Sequence, residues 1–506
     1  MFATVEAEDR TTFAARCLER DLERTSNGSE PVTDRGITMV GGGSIDDGTR
    51  REDGSMLSRA VSERYRCPAS FLDFHLGGEL SSDEGYFRFG ENAICYGQSC
   101  TGIREQCSQS VLYNELNDTV IGGGKLTLPF DPSRIIDNLR LERYTFTHLA
   151  YESALKKLYY QLRPFTNQWL REKIQRFHVR KWENRAFPQW PVDTTVESIC
   201  ETLMLLSLEA KGTDRIPFVW FWPLGAQGCV LMTHDVETEA GRDFCGELLD
   251  INDSFGIKSS FQIVPEERYA VPPSFLDAIR KRGCEITIQD LNHDGRLFDD
   301  RKEFLRRVAL IHQYAKEYGA KGFRAAVLYR KPEWYDAINL SFDMSIPNVA
   351  HLDPQRGGCC TVMPYFIGNL LELPVTTVQD YTLFHLLNER SIDLWKKQVG
   401  LILASNGMAH FIVHPDYIRG SGTRRVYESL LGWLREESHR QGLWTALPGE
   451  VDLWWRERSR MSVVQDGESW RIEGKGSDRA VLAFARNVNG KLAYELLDTR
   501  LARASQ

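Results

Sequence analysis

Three ionisable side chains follow one apolar run in the middle of the chain. Residues 229–232 are apolar, and the sequence Thr-His-Asp-Val-Glu comes directly after them and ends at Glu237. Asp235 and Glu237 are two positions apart, so their side chains share one face if the extended backbone continues. One carboxylate could then hold a metal ion while the other transfers protons. The alternative is that both acids are only solvated charges at the end of a strand.

The apolar run has the pattern of a strand that is buried on both faces, as in a parallel sheet. Strand and helix patterns alternate from residue 228 to about residue 450, which predicts a parallel α/β sheet in the form of a closed or nearly closed barrel. Enzymes with such sheets carry their reactive residues where the strands end. The predicted strands are 229–233, 259–264, 285–288, 322–326, 343–346, 371–376, 410–413 and 443–446.

Polar residues also follow several of the later predicted strands. The sequence Gln-Asp-Leu-Asn-His runs from Gln289 to His293, Arg324 ends Gly-Phe-Arg, and His414 follows Phe-Ile-Val. Because the carboxyl ends of parallel strands meet at one edge of a sheet, we expect these side chains to lie near Asp235.

Composition limits the class of protein. At 506 residues the chain is long enough for two or three domains. A formal net charge of -8 argues against a general nucleic-acid-binding protein. Residues 1–10 lack the apolar segment of a signal peptide and no apolar run is long enough to span a bilayer, so we expect a cytoplasmic protein without a transmembrane segment. Eleven cysteines at scattered spacings fit reduced thiols in that compartment.

The sequence patterns divide the chain into four parts. Residues 1–60 are poor in large apolar side chains and contain a glycine-rich stretch, which predicts a disordered tail. Residues 61–215 mix short alternating stretches with a helical period and predict an N-terminal α+β region. Residues 216–455 hold the predicted barrel, and residues 456–506 are predicted to form a small β-rich C-terminal unit.

The strand ends between residues 228 and 450 resemble those of the polysaccharide deacetylase family, the NodB-like domain of carbohydrate esterase family 4. The resemblance covers less than half of the chain and implies a distorted (β/α)7-type barrel that removes acetyl groups from N-acetylated sugars with the help of a metal ion. The family's first motif is an aspartate-rich strand end, and one branch has Asp-x-Glu there. This match implies that Asp235 is the general base and that Glu237 is a metal ligand.

The family's second motif is a histidine, three residues and a second histidine. His293 matches the second histidine, but Gln289 stands at the position of the first. An amide oxygen is a weaker ligand than imidazole for zinc-like ions. The resemblance therefore implies either a divalent metal, with zinc as the expected ion, held by Glu237 and His293 with help from Gln289, or a site that has lost its metal.

Two further motifs of the family match residues that the resemblance implies are the other catalytic groups. The third motif is a strand that ends in arginine and usually proline, and here Arg324 is present and the proline is absent. By this match Arg324 orients Asp235, whereas a buried ion pair without catalysis is its alternative role. Another motif, the family's fifth in chain order, carries a histidine that matches His414. By this match His414 is expected to be the general acid. A lone histidine at a strand end can also be structural.

The resemblance implies that these residues form the site of a hydrolase that removes N-acetyl groups from an N-acetylated saccharide. A divalent ion would activate water and polarise the amide carbonyl, while Asp235 would take a proton and His414 would give one to the leaving amine. Two alternatives stay open: a non-catalytic glycan-binding barrel that has lost its metal, and a hydrolase of another carbon–nitrogen amide bond. Nothing in the sequence indicates an oligomeric state.

Overall fold

A computed structural model of the protein describes residues 55–57, 59–148, 185–351 and 355–497. The predicted tail, residues 1–60, lies outside these ranges except for residues 55–57, 59 and 60. The described residues belong to one unit that spans Gly48–Gln506. None of the helices described here is long and apolar enough to cross a membrane.

The regular elements of the described ranges are numbered in chain order. The strands are β1 Ser55–Leu57, β2 Asp73–Leu76, β3 Gly85–Arg88, β4 Ile94–Gly97, β5 Val120–Gly122, β6 Lys125–Leu128, β7 Arg215–Val219, β8 Cys229–Val236, β9 Ser260–Ile263, β10 Glu285–Gln289, β11 Gly322–Arg324, β12 Phe342–Asp343, β13 Tyr365–Ile367, β14 Leu370–Glu372, β15 Met408–Ile412, β16 Trp444–Ala446, β17 Ser462–Asp466, β18 Ser469–Glu473, β19 Leu482–Val488 and β20 Lys491–Leu496. The α-helices are α1 Arg59–Tyr65, α2 Pro132–Arg140, α3 Thr195–Lys211, α4 Glu239–Ser254, α5 Pro273–Lys281, α6 Arg301–Tyr318, α7 Asp393–Ala404, α8 Ser421–Gln441 and α9 Pro448–Ser459.

A curled, mostly parallel sheet forms the centre of the fold. Its strands follow the order β13-β14-β12-β11-β10-β9-β8-β15, and β16 pairs with the first half of β8. The neighbouring pairs are parallel except for β13 with β14. Beyond β14, the Thr377 N–H donates to the carbonyl of His410 in β15 at 3.3 Å, so the segment after β14 lies against the strand at the other end of the path. The prediction of a parallel α/β sheet is confirmed.

The apolar run at the start of β8 explains why this strand lies inside the sheet. All eight of its residues are buried, as expected for a parallel strand covered on both faces. The helix α4 begins immediately after the site residues, where Thr238 Oγ1 accepts a hydrogen bond from the Gly241 N–H and caps the helix. The cap fixes the point at which the chain leaves the sheet, two residues after Val236.

The N-terminal and C-terminal strands form smaller sheets. One has the order β1-β2-β6-β5, and a hairpin is formed by β3 and β4. The C-terminal strands β19 and β20 are joined by β7, which precedes the parallel sheet in the chain and pairs antiparallel with β19. The β-rich C-terminal segment therefore adds to a strand from the middle of the chain, and the division into four parts stays a prediction.

Two buried carboxyl groups lie side by side on β12 and β14. The register pairs Asp343 with Glu372, and neither side chain is exposed. Ser345 Oγ donates to Asp343 Oδ1 at 2.7 Å, and the Ile346 N–H donates to Glu372 Oε1 at 3.0 Å. Burial, together with the neighbouring acid Asp343, raises the pKa of Glu372 well above its ordinary value. The folded structure therefore favours the protonated form of Glu372.

This pair is expected to make stability depend on pH. In the unfolded chain Glu372 loses its proton near its ordinary pKa of about 4.3. In the folded chain Glu372 loses this proton only at a higher pH, because its pKa is raised. Its contribution is complete below the pKa of the unfolded chain and is lost as the pH rises toward the raised pKa, so the free energy of unfolding should fall over that window. Glu372→Gln should remove part of this dependence, as measured by urea unfolding at several pH values. The exposed Glu91→Gln is the control, and an unchanged pH profile in Glu372→Gln would contradict the assignment.

Candidate active site

Four strands of the parallel sheet deliver the predicted site residues to one edge. Asp235 lies in β8, and Glu237 is the residue after this strand. Gln289 ends β10 and Arg324 ends β11. His414 follows β15 by two positions. The carboxyl ends of parallel strands lie at the same edge of a sheet, and several of these side chains contact one another there.

Asp235 is held at both of its oxygens. Arg324 Nη1 donates to Oδ1 at 2.5 Å, and the side chains of Arg324 and Asp235 are 0% and 5% exposed. Gln289 Nε2 donates to Oδ2 at 3.1 Å. A buried carboxylate with a guanidinium on one side is oriented and compensated in charge. Arg324 is therefore in direct contact with the carboxylate of Asp235, and its orienting role stays a prediction.

Arg324 is in turn held by His410, which the sequence analysis did not select. Arg324 Nη2 lies 2.8 Å from His410 Nε2, and Nη1 also donates to Thr233 Oγ1 at 3.0 Å. His410 Nδ1 lies 3.2 Å from two backbone carbonyls of the segment after β14, so Nδ1 carries the proton and Nε2 accepts from Arg324. Burial and the nearby guanidinium hold the pKa of His410 well below its ordinary value. The sequence signal that could have identified His410 is that it is the one polar residue in the apolar strand β15.

Glu237 Oε1 is surrounded by three nitrogens. Gln289 Nε2 donates to it at 3.1 Å, His293 Nε2 lies at 2.8 Å, and His414 Nε2 lies at 3.4 Å. Burial would raise the pKa of Glu237, but the two imidazoles outweigh burial and hold it well below its ordinary value. Glu237 is therefore an anion at neutral pH.

The loop after β10 brings Gln289 and His293 to the same carboxylate. Asp290 and His293 have positive φ angles of 52° and 57°. Residues other than glycine seldom adopt this left-handed conformation, and such residues cluster at functional sites. The coiled backbone explains how two residues four positions apart contact one carboxylate.

His414 is held in place by contacts with Asp380. Asp380 is a buried acid that the sequence analysis did not include among the site residues. His414 Nδ1 lies 2.6 Å from Asp380 Oδ1, and the His414 N–H donates to Asp380 Oδ2 at 2.7 Å. Burial would lower the pKa of His414, but Asp380 and Glu237 outweigh burial and raise it well above its ordinary value. These contacts orient the ring of His414 and favour its protonated form, from which Nε2 can give a proton.

Several donors at this edge could hold a metal ion. Asp235, Glu237 and His414 each offer a ligand atom, and these atoms lie within 4.8 Å of one another. The predicted ligands Glu237, His293 and Gln289 share only Glu237 with this group. Gln289 Oε1 is buried and has no hydrogen-bond partner among the described residues, and His293 Nε2 lies 2.8 Å from Glu237 Oε1. Carboxylate, imidazole and amide oxygen are suitable donors for a divalent cation, so the residues fit the implied metal.

Substitutions of Gln289 would test whether its side chain limits the affinity of the site for zinc. Gln289→His should raise zinc affinity about tenfold or more, on the order of 1.4 kcal/mol, because imidazole replaces an amide as donor. Isothermal titration of both proteins would measure the change. Gln289→Leu, which keeps the approximate size without a donor, is the matched control. If Gln289→His leaves the affinity unchanged while His293→Ala lowers it, Gln289 does not face the metal.

Comparisons with known proteins give structural similarity only. No family model and no curated protein matches the chain. Similar solved structures include a Mycobacterium smegmatis protein provisionally assigned as a polysaccharide deacetylase, with 17% identity, a TM-score of 0.40, and coverage of 50% of this chain and 98% of that chain. Another is Puue allantoinase, with 12% identity, a TM-score of 0.36, and coverage of 46% and 92%. A family 4 carbohydrate esterase from Streptomyces lividans has 12% identity, a TM-score of 0.30, and coverage of 44% and 93%.

Proposed function

We propose that this chain is a metal-assisted hydrolase that removes the acetyl group from the nitrogen of an N-acetylated saccharide, and that its sheet is a distorted (β/α)7-type barrel. One observation carries the proposal. Asp235, Glu237 and His414 present oxygen and nitrogen atoms within 4.8 Å of one another at the carboxyl edge of the sheet. A base and an acid at this separation can act on the same small group.

The reaction needs a base and an acid because water is a weak nucleophile and an amide nitrogen is a poor leaving group. Asp235, oriented by Arg324, accepts a proton from the water whose oxygen bonds to the acetyl carbon. The carbon–nitrogen bond then breaks as His414 gives its Nε2 proton to the leaving nitrogen. The products are acetate and the free amine. Asp380 keeps His414 oriented and stabilises its charged form before the transfer.

A divalent ion, when bound, would polarise the acetyl carbonyl and lower the pKa of water. Glu237 and His293 are the residues proposed to hold it, with Gln289 turning its amide oxygen inward. In the present arrangement Gln289 donates its amide N–H groups to Asp235 and Glu237, and its oxygen has no hydrogen-bond partner in the described ranges. Amide oxygen and nitrogen exchange places when the side chain turns over, so the same residue can face either carboxylates alone or a cation.

One observation favours a second candidate, a non-catalytic glycan-binding protein. Gln289 Nε2 lies 3.1 Å from an oxygen of Asp235 and 3.1 Å from an oxygen of Glu237. A neutral donor between the two carboxylates satisfies both without a metal ion. If this arrangement persists in solution, the site would be stable but inactive.

Metal content and acetate release distinguish these candidates. Protein purified without chelator should contain about one divalent ion per chain and should release acetate from N-acetylchito-oligosaccharides, and chelation should abolish the release. Metal-free protein that binds these glycans without acetate release, even after metal addition, would favour the second candidate. Release of another product from simple or cyclic amides, without acetate from glycans, would favour a different carbon–nitrogen hydrolase.

A further inference from the structure

A cavity of about 560 Å³ lies between the N-terminal region and loops of the parallel sheet. Tyr86 and residues 107–109 line it from the N-terminal side, and Phe298 and Tyr329 line it from the sheet side. The volume is in the range of sites that bind small molecules. None of the residues in the candidate active site lines this cavity.

The lining combines aromatic rings with a nearly balanced set of charges. Its aromatic residues are Tyr86, Tyr144, Phe187, Phe298 and Tyr329. Its charged residues are Arg185, Arg330, Lys331 and Arg356 against Glu142, Asp299 and Glu333. Aromatic faces bind apolar surfaces, while the polar groups around them supply hydrogen bonds. This combination suits a neutral ligand with many hydroxyl groups and apolar ring faces, which is the chemistry of a saccharide.

One wall of the cavity is fixed by a buried ion pair. Arg330 Nε donates to Glu142 Oε2 at 2.6 Å, Nη2 donates to Glu142 Oε1, and the two side chains are 2% and 5% exposed. Gly357 has a φ of 111°, and a Cβ there would lie 2.7 Å from Glu142 Oε1. The backbone at Gly357 therefore packs directly against the pair. A wall of this kind favours a cavity that is already formed before a ligand binds.

The cavity and the candidate active site share the loops that leave the carboxyl edge of the sheet. Gly295, which lines the cavity, is two residues after His293. Arg330 belongs to the segment that follows Arg324 at the end of β11. A chain-like ligand could therefore contact both places, and the residues outside the parallel sheet would bind the part that does not react.

We propose that this cavity binds sugar units of an oligosaccharide next to the unit whose acetamido group reaches Asp235 and His414. The proposal rests on the proposed function for the nature of the ligand. It assigns the N-terminal region a role in holding the substrate chain. The consequence is a preference for oligosaccharides over single sugars.

Cys107 gives a direct test of occupancy. Its thiol is free and exposed, and it lines the cavity. N-acetylchitopentaose at about ten times its dissociation constant should slow alkylation of Cys107 by iodoacetamide about tenfold, because only the unoccupied protein reacts. N-acetylglucosamine at the same concentration should have little effect. Peptide mapping by mass spectrometry follows each thiol, and the partly buried Cys100, which does not line the cavity, is the internal control.

A blocking variant tests the same proposal through binding and kinetics. Gln109 is exposed and lines the cavity, whereas its exposed neighbour Ser110 does not. Gln109→Trp should weaken pentaose binding and raise KM for the pentaose about tenfold with kcat nearly unchanged, since it removes binding away from the reacting group. Ser110→Trp should behave like the wild type. Titration calorimetry with the pentaose provides a readout that does not need turnover.

The two proposals fail in different ways. Protection of Cys107 by the pentaose without acetate release would support the cavity and overturn the deacetylase. Acetate release from the pentaose with no protection of Cys107, and with unchanged KM and affinity in Gln109→Trp, would overturn the cavity proposal and leave the proposed function standing.

Discussion

Asp235→Asn is expected to reduce acetate release by about 10²- to 10⁴-fold, which is the usual contribution of a general base. Asparagine keeps the shape of the side chain and an oxygen that can accept from Arg324 Nη1, now at 2.5 Å from the carboxylate. It cannot accept a proton from water at neutral pH. Turnover of N-acetylchito-oligosaccharides, metal stoichiometry and thermal unfolding should be measured on the same preparations.

Asp416→Asn is the matched control for this variant. Asp416 is two residues after His414, and it accepts a hydrogen bond from Thr238 Oγ1 at 3.3 Å. It should retain most of the turnover. If Asp235→Asn keeps the wild-type rate, Asp235 is not the base. If the variant loses both metal and thermal stability, the loss of rate cannot be assigned to the proton transfer, and Asp235→Glu then decides whether a carboxylate restores it.

Arg330→Met is expected to lower the free energy of unfolding by about 3–5 kcal/mol. The change leaves the carboxylate of Glu142 buried without the guanidinium that now donates two hydrogen bonds to it. Attraction within a buried pair is offset by the cost of removing both charges from water, so losing one partner is worse than losing both. The double variant Arg330→Met/Glu142→Leu should therefore be more stable than Arg330→Met alone. Urea unfolding of the three proteins measures this difference.

An exposed ion pair provides the comparison for Arg330. Arg306 Nη2 lies 2.7 Å from Glu303 Oε1, and the two side chains are 59% and 37% exposed. Pairs of this kind contribute about 0–1 kcal/mol, so Arg306→Met should change stability little. Equal losses in Arg330→Met and Arg306→Met would show that the burial of the Arg330–Glu142 pair has no special energetic effect.

The strand ends of the parallel sheet could be predicted because their signals are local. The apolar run before Asp235 indicates a strand buried on both faces, and the change to polar residues marks its end. The same logic placed Gln289, Arg324 and His414 on one edge. Neighbouring parallel strands end together, so a pattern in the sequence was enough to predict that edge.

The contacts behind these residues could not be predicted in the same way. Asp380 lies behind His414, and His410 lies behind Arg324, because of how loops and strands distant in sequence pack. A sequence pattern gives no distance between such side chains. Gln289 shows the same limit, since its type predicts a weak ligand, whereas its hydrogen bonds to two carboxylates depend on the folded geometry.

The pairing of β7 with β19 has a consequence for synthesis of the chain on the ribosome. Translation completes β7 before every strand of the parallel sheet, but its partner β19 emerges only after that sheet is made. Until then, the backbone groups of β7 that β19 will bind remain an unpaired edge, and such edges attract other chains. A product that ends before Leu482 would keep this edge. Pairing of β7 therefore requires that translation has passed Arg486, and a shortened product would expose this unpaired strand edge.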